Sequence, residues 1–285
     1  MKTIIISDIN NSAESIIPYG LRIARGLESE VDILHVIDPR SHQGSYSSVS
    51  DSQSISPGDT LSHAETMQHA KNQASVKLDK LLSSEASRLN YPLKINRVIV
   101  ENSLEEELEQ RLAQNPDCLL LVNAEADEDM LDTTEEIVRM IKKTGVPSVI
   151  VPPGQSFKSQ MSALMPLNLD ENNFSSVTDI RFFFDGFQIT IDAVGVVSNG
   201  DYTNMELKSV AWKDAVSDFY LPKTELKTNI LEGKDINATI GNYFKRNDRD
   251  LLILINENND TKSSVLDTVE LIDSVKSPTL VYFPA

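Results

Sequence analysis

The second half of this chain repeats the order of apolar segments found in its first half, and this duplication constrains the fold more than any other feature. Residues 117–123 read Asp-Cys-Leu-Leu-Leu-Val-Asn, and residues 250–256 read Asp-Leu-Leu-Ile-Leu-Ile-Asn. Apolar runs that begin at Pro147 and Pro278 close the two copies, and residues 100–102 stand opposite residues 231–233. Self-similarity at a fixed spacing predicts one structural unit that is built twice.

Within each copy, short apolar runs alternate with segments of helical periodicity. The predicted strands are residues 3–7, 31–37, 94–100, 118–123 and 147–153 in the first copy, with 163–168 and 189–197 opening the second. The predicted helices include residues 129–144, 174–184 and 205–220. This alternation predicts a parallel sheet with helices on its faces. The polar run after Pro153 divides the chain into two expected domains, residues 1–154 and 155–285.

A serine-rich segment, residues 39–62, interrupts the first copy and has almost no large apolar side chains. Such a segment cannot bury enough surface to offset the entropy lost on ordering, so we expect a mobile loop. The loop can act as a lid over the strand ends, as a phosphorylation target, or as a tolerated insertion. Of these three interpretations we favour the tolerated insertion.

The chain carries 43 acidic and 26 basic residues, a formal net charge of −17. That charge repels phosphate backbones and anionic lipids, so we expect neither nucleic acid nor membrane partners. The first apolar run is too short for a secretion signal, and no run approaches the roughly 20 residues that span a bilayer. We therefore expect a cytoplasmic protein. Its single cysteine, Cys118, lies in a predicted strand and excludes an intrachain disulfide.

Three segments of the first copy, together with the duplication, resemble the universal stress protein family in its tandem form. In that family the first strand ends in an aspartate, the second often reads Leu-His-Val, and the last begins at a proline. The matching segments here are residues 4–8, 34–38 and 145–151. The resemblance implies an α/β fold of two doubly wound five-stranded parallel-sheet domains, Rossmann-like and adenine nucleotide alpha hydrolase-like, related by an internal pseudo-twofold axis.

The resemblance also implies that the two copies pair through their last strands, as an intramolecular pseudo-dimer. The residues placed for this pairing are Val149, Val151, Leu280 and Tyr282. The alternative is that these side chains only fill the core of their own copy. The sequence leaves both interpretations open.

ATP-binding members of the family carry Gly-x2-Gly-x9-Gly-Ser/Thr after the fourth strand, because backbone N–H groups must approach the phosphates closely. No glycine occurs here between Gly58 and Gly145, and none follows Gly241. The corresponding segment of the first copy, residues 123–134, contains five carboxylates, which repel a triphosphate. We therefore expect no cofactor, and in particular no ATP.

Some residues of the family's nucleotide pocket persist. By resemblance, Asp8 matches the aspartate that contacts the nucleoside, Val36 matches a residue that lines the base pocket, and Thr134 falls near the terminal Ser/Thr. We take these three as a vestigial nucleotide-binding site. The alternative for Asp8 is that it caps the following helix or turn. In the second copy Asn168 replaces the aspartate.

Other chemistry is not indicated. Asp127, Asp129 and Asp132 do not have the spacing of a calcium loop, and acidic residues also favour the first turn of a helix. His63 and His69 are six residues apart and lie on different faces of a helix. We expect no metal site, no catalytic residues and no enzymatic activity.

The sequence thus predicts a non-enzymatic stress-response protein that acts through contacts with protein partners that it does not identify. The alternative is a protein that binds a nucleotide, a nucleoside or another small metabolite at the carboxyl ends of its strands. A homodimer is a further option.

Overall fold

The computed structural model describes residues 1–7, 9, 15–37, 63–89, 92–125, 133–167, 174–197, 202–217, 223–256 and 266–284. Several residues on which sequence predictions were made lie outside these ranges. They are Asp8, the serine-rich segment 39–62, Asp127, Asp129, Asp132 and Asn168.

The first repeat consists of β1 (Lys2–Ile6), α1 (Ile17–Gly26), β2 (Glu30–Ile37), α2 (His63–Leu89), β3 (Ile95–Glu101), α3 (Leu104–Gln114), β4 (Cys118–Asn123), α4 (Thr134–Thr144) and β5 (Ser148–Val151). The second repeat consists of β6 (Gln160–Pro166), α5 (Phe174–Asp179), α6 (Arg181–Gly186), β7 (Gln188–Val197), α7 (Tyr202–Ser217), β8 (Thr224–Glu232), α8 (Ile236–Arg246), β9 (Leu251–Ile255), α9 (Thr268–Val275) and β10 (Thr279–Tyr282).

The strands form one ten-stranded sheet in the order β3-β2-β1-β4-β5-β10-β9-β6-β7-β8. Strands within each repeat are parallel, and both repeats have the same order, so the predicted doubly wound α/β halves are confirmed. The two halves meet at β5 and β10, which pair antiparallel. The strands of the two repeats therefore run in opposite directions, and the carboxyl ends of the strands in one repeat lie on the same side as the amino ends in the other. The domain boundary at residue 154 stays a prediction.

The seam between the repeats has twofold symmetry around one residue pair. Val149 lies opposite Leu280, flanked by the pairs Ile150 with Thr279 and Ser148 with Val281. Val149 and Leu280 are also fully buried, so they pair across the seam and fill the core at the same time. The predicted pairing is confirmed for this central pair. Val151 and Tyr282 instead lie in register with Asn123 and Ile255 of their own repeats.

The ladder registers correct the sequence match between β4 and β9 by one residue. Leu120 pairs with Ile4, and Leu252 pairs with Leu164, at equivalent positions of the two repeats. The sequence match had placed Leu119 opposite Leu252. A one-residue shift turns every side chain to the other face of the sheet. Because residues on both faces of these central strands are apolar, composition could not detect the error.

Several helix boundaries also differ from the predictions. The described part of α4 begins at Thr134, after Thr133 in an extended conformation, and residues 129–132 of the predicted helix lie outside the described ranges. The single helix predicted over residues 174–184 is two short helices, α5 and α6. Helix α7 begins at Tyr202, three residues before the predicted start. Ser103 caps α3, with its hydroxyl accepting a hydrogen bond from the Glu106 N–H at 3.3 Å.

Both apolar core layers contain residues of the two repeats, and one of them shows a direct aromatic contact across the seam. The ring of Phe157 lies edge-on between Tyr19 and Phe187, with centroid distances of 5.5 Å to each. Phe187 also lies against Gly26, where an added methyl group would overlap its ring. Helix α1 of the first repeat thus packs directly against the start of β7 in the second. No helix within the described residues is both long and apolar enough to cross a bilayer.

Candidate functional site

At the carboxyl edge of the first repeat, Val36 belongs to the core. It lies near the end of β2, opposite Val100 of β3, and is 4% exposed. It shares an apolar cluster with Ile6 and Val122, the neighbouring strand ends. The position is thus compatible with the wall of a pocket, but its side chain is engaged in packing.

Thr134 makes a contact that the sequence did not predict. It is the first residue of α4, and its hydroxyl donates a hydrogen bond to Oδ1 of Asp273 at 2.6 Å. Asp273 lies on α9 of the second repeat. The residue that matches the family's terminal Ser/Thr by resemblance therefore links the two repeats, and its partner is a carboxylate. Only the antiparallel seam brings α4 and α9 together, so no local sequence signal could have identified this contact.

Side-chain hydrogen bonds lie at both described ends of the segment between β4 and α4. Oδ1 of Asn123 accepts a hydrogen bond from the Glu125 N–H at 3.0 Å, and Asn123 itself is buried. At the far end of this segment, Thr133 caps α4 by accepting from the Glu136 N–H at 3.2 Å. Glu135 and Glu136 occupy the first turn of the helix. Acidic residues there complement the positive end of the helix dipole, which would otherwise attract an anion.

The carboxyl edge of the second repeat contains a cavity of about 600 Å³. It lies between α4 and the segment that begins α9, and Asn256 and Phe283 lie where β9 and β10 end. Val138 and Val269 add apolar surface. A cavity of this volume falls in the range of small-molecule sites, roughly 300–1,000 Å³.

Charges of both signs line the cavity. Arg139 and Lys142 of α4 contribute positive charges, and Glu135 of α4 and Asp267 at the start of α9 contribute negative ones. The carboxylate of Asp267 caps α9, accepting a hydrogen bond from the Glu270 N–H at 3.1 Å. Since a protein carboxylate already occupies this helix terminus, a polyphosphate gains little there. The lining is suited to a small polar molecule with low net charge.

Two buried carboxylates, Asp32 and Asp192, were not predicted from the sequence. The ladders place each of them beside an equivalent residue of the first strand of its repeat, Ile4 and Leu164. They therefore occupy the same position in the two repeats, and they are 3% and 1% exposed. An aspartate within an otherwise apolar strand was the available signal.

Different side chains neutralise the two carboxylates. The Asp32 carboxylate accepts hydrogen bonds from the ammonium of Lys2 at 3.0 Å, the amide of Asn96 at 2.8 Å and the guanidinium of Arg111 at 3.3 Å. Asp192 receives the guanidinium of Arg249 and the hydroxyl of Tyr243, both at 2.7 Å, and the amide of Asn229. Because donors from the same repeat surround each carboxylate, we assign both clusters to stability.

Reactive groups are few in the described residues. No group of three or more histidine, cysteine, aspartate or glutamate side chains in those ranges is arranged to hold a metal ion. Burial, and secondarily the charge of Asp117, raises the pKa of the Cys118 thiol to about 11. The thiol is therefore protonated at neutral pH and is a poor nucleophile.

Comparisons with known proteins locate the likeness in the tertiary structure. No protein-family model matches the chain, and no curated protein matches it. Among solved structures, a universal stress protein from Archaeoglobus fulgidus DSM 4304 aligns with a TM-score of 0.55 at 8% identity, covering 100% of this chain and 96% of that one. A functionally unknown protein from Pseudomonas aeruginosa PAO1 aligns with a TM-score of 0.54 at 11% identity, covering 99% and 92%.

The same fold also occurs in a different setting. The cytoplasmic domain of a prokaryotic cation chloride cotransporter aligns with a TM-score of 0.52 at 9% identity, covering 99% of this chain and 95% of that one. At such identities the comparisons establish the fold, and function must be argued from the chain's own residues.

Proposed function

For a chain with the fold of a tandem universal stress protein, we propose a non-enzymatic role in the stress response, exerted through contacts with protein partners in the cytoplasm. In this proposal the nucleotide pocket of the fold has degenerated and ATP does not bind. Protein recognition then takes the place of nucleotide chemistry, and no residue is assigned a catalytic role.

The observation that carries the proposal is the hydrogen bond from Thr134 to Asp273. A phosphate that approached the Thr134 hydroxyl would have to displace this carboxylate or lie beside it. Two like charges about 4 Å apart repel by about 1 kcal/mol in water and by more near a protein surface. The missing glycines add a second obstacle, because every residue between β4 and α4 carries a side chain, and glycine is what lets a backbone approach phosphates closely.

Thermal unfolding with and without ligands tests the proposal. A ligand present at 100 times its dissociation constant stabilises the folded state by about 2.7 kcal/mol. For a chain of this size, that corresponds to an increase of several degrees in the unfolding temperature. We expect ATP with magnesium to leave the unfolding temperature unchanged. Stabilisation by ATP at that scale would refute the degenerate pocket.

A second candidate function is the binding of a small metabolite of low net charge, supported by the cavity between α4 and α9. Adenosine, which carries no charge, should then raise the unfolding temperature, while AMP and ATP do not. Val138→Phe would fill part of the cavity and should abolish that stabilisation. Leu112→Phe, which enlarges a side chain beside a separate cavity of about 190 Å³, is the matched control. Equal responses of the two variants to ligand would exclude this site.

A further inference from the structure

The exposed face of α7 carries four apolar residues among its polar ones. The side chains of Leu207, Val210 and Tyr202 are 67%, 48% and 41% exposed, and Ala211 beside them is exposed as well. Clustered exposed apolar side chains on a soluble domain generally mark a contact surface.

The first repeat serves as an internal control for this face. Asn96 of β3 lies in register with Asp32, and Lys227 of β8 lies in register with Asp192. Since Asp32 and Asp192 are equivalent, Asn96 and Lys227 are equivalent too. Matching positions of the two repeats therefore occupy equivalent places in the fold and can be compared directly.

The residue offset between Asn96 and Lys227, applied to the helices that precede β3 and β8, aligns α2 with α7. It places buried Leu78 opposite buried Ser209, and buried Glu85 opposite buried Val216, which supports the alignment. The aligned outer positions are Lys71 with Tyr202, Val76 with Leu207, Asp79 with Val210, and Lys80 with Ala211. Three charged residues of the first repeat are thus replaced by uncharged ones in the second.

The change also removes two ion pairs between the helix and the neighbouring strand. In the first repeat, Lys71 pairs with Glu101 at 2.8 Å, and Arg97 pairs with Asp79. The positions equivalent to Arg97 and Asp79 are Thr228 and Val210, which cannot form such a pair. Exposed ion pairs contribute little to stability, so the fold does not require the charges. It does not require the apolar replacements either, and their exposure indicates that something covers them.

The strand beside α7 is free to pair. Strand β8 is at one end of the sheet, and among the described residues its ladder is with β7 alone. The N–H and C=O groups on the outer side of an edge strand are available to a strand from another chain. The seam already shows how two such units join, with an antiparallel strand pair and a helix on one side against a helix on the other.

Charge favours a second copy of this chain as the partner. Residues 202–217 and 223–232 contain four acidic and four basic side chains, whereas the whole chain has a net charge of −17. The acidic residues are Glu206, Asp214, Glu225 and Glu232, and the basic ones are Lys208, Lys213, Lys223 and Lys227. Two identical acidic proteins meet with least repulsion where their surface is locally neutral.

We propose that α7 and β8 form the surface through which two copies of this chain associate about a twofold axis. This association goes beyond the proposed function, and a test of it does not depend on whether the chain binds nucleotides. In a twofold interface each side chain contributes twice, so single substitutions have large effects.

Sedimentation velocity of the full chain over a range of concentrations tests the proposal. The wild-type protein should shift from a species of 31.7 kDa towards one of twice that mass as its concentration rises. Leu207→Ser should raise the dissociation constant roughly 100-fold, because two leucines are lost from the interface. The double variant Val210→Asp with Ala211→Lys, which installs the first repeat's residues and leaves the net charge unchanged, should have a similar effect.

Val76→Ser is the matched control, because Val76 has the same 67% exposure at the equivalent position of the first repeat. It should leave the association unchanged. Hydrogen exchange should show protection of residues 224–232 increasing with concentration. The proposal is overturned by a protein that stays monomeric, by a dimer insensitive to Leu207→Ser, or by protection that develops at β3 instead of β8.

Discussion

Replacing Asp192 with alanine should be one of the most destabilising changes in this protein. Its carboxylate is 1% exposed and accepts hydrogen bonds from Arg249 and Tyr243, both at 2.7 Å, and from Asn229. Asp192→Ala leaves the guanidinium of Arg249, whose side chain is 17% exposed, without its carboxylate. A charge held away from water without a partner strongly destabilises the folded state.

The expected magnitude follows from burial. Breaking a buried ion pair by removing one partner costs about 3–5 kcal/mol, against a total stability of about 5–15 kcal/mol for a typical domain. Asp185→Ala is the control, because Asp185 forms an ion pair with Arg181 in which both side chains are 43% exposed. The distance from Arg181 Nε to Asp185 Oδ2 is 3.3 Å. Exposed pairs contribute about 0–1 kcal/mol.

Urea unfolding followed by circular dichroism measures both variants. The midpoint for Asp192→Ala should fall far below that of the wild type, whereas Asp185→Ala should unfold close to it. Adding Arg249→Met to Asp192→Ala should recover part of the loss, because the buried charge is then gone. Equal midpoints for the two aspartate variants would show that the cluster does not stabilise the fold.

Two further predictions concern the core across the seam and the titration of a tyrosine. Gly26→Ala forces the Phe187 ring to move and should lower the free energy of unfolding by about 1–3 kcal/mol, measured by thermal unfolding. Adding Phe187→Leu should restore part of that loss, and a Gly26→Ala protein that unfolds at the wild-type temperature would contradict this packing. Burial, and then the hydrogen bond to Asp179, raises the pKa of Tyr282 from 10.0 to about 12. A pKa raised by folding stabilises the protein fully below pH 10.0 and loses that contribution as the pH rises to about 12. Tyr282→Phe should therefore flatten stability over this window and remove one late-titrating tyrosine from the ultraviolet absorbance titration, and an unchanged titration would refute the assignment.

The candidate site was predictable only in part. Val36 and Thr134 were selected by resemblance, and the structure places Val36 in the core and Thr134 against Asp273. The missing glycines were visible in the sequence because a local chemical requirement can be checked residue by residue. The cavity was not visible, since its walls come from segments that are distant in the chain.

Short-range pattern was enough to determine the duplication, the alternation of strands and helices, and the parallel halves, because apolar periodicity reports which face each segment buries. Tertiary structure alone decided the one-residue register of β4 against β9, the bond between Thr134 and Asp273, and the different outer faces of α2 and α7. Each of these depends on which distant segments meet at the seam or at the sheet edge. A sequence read along its length carries no direct record of those distances.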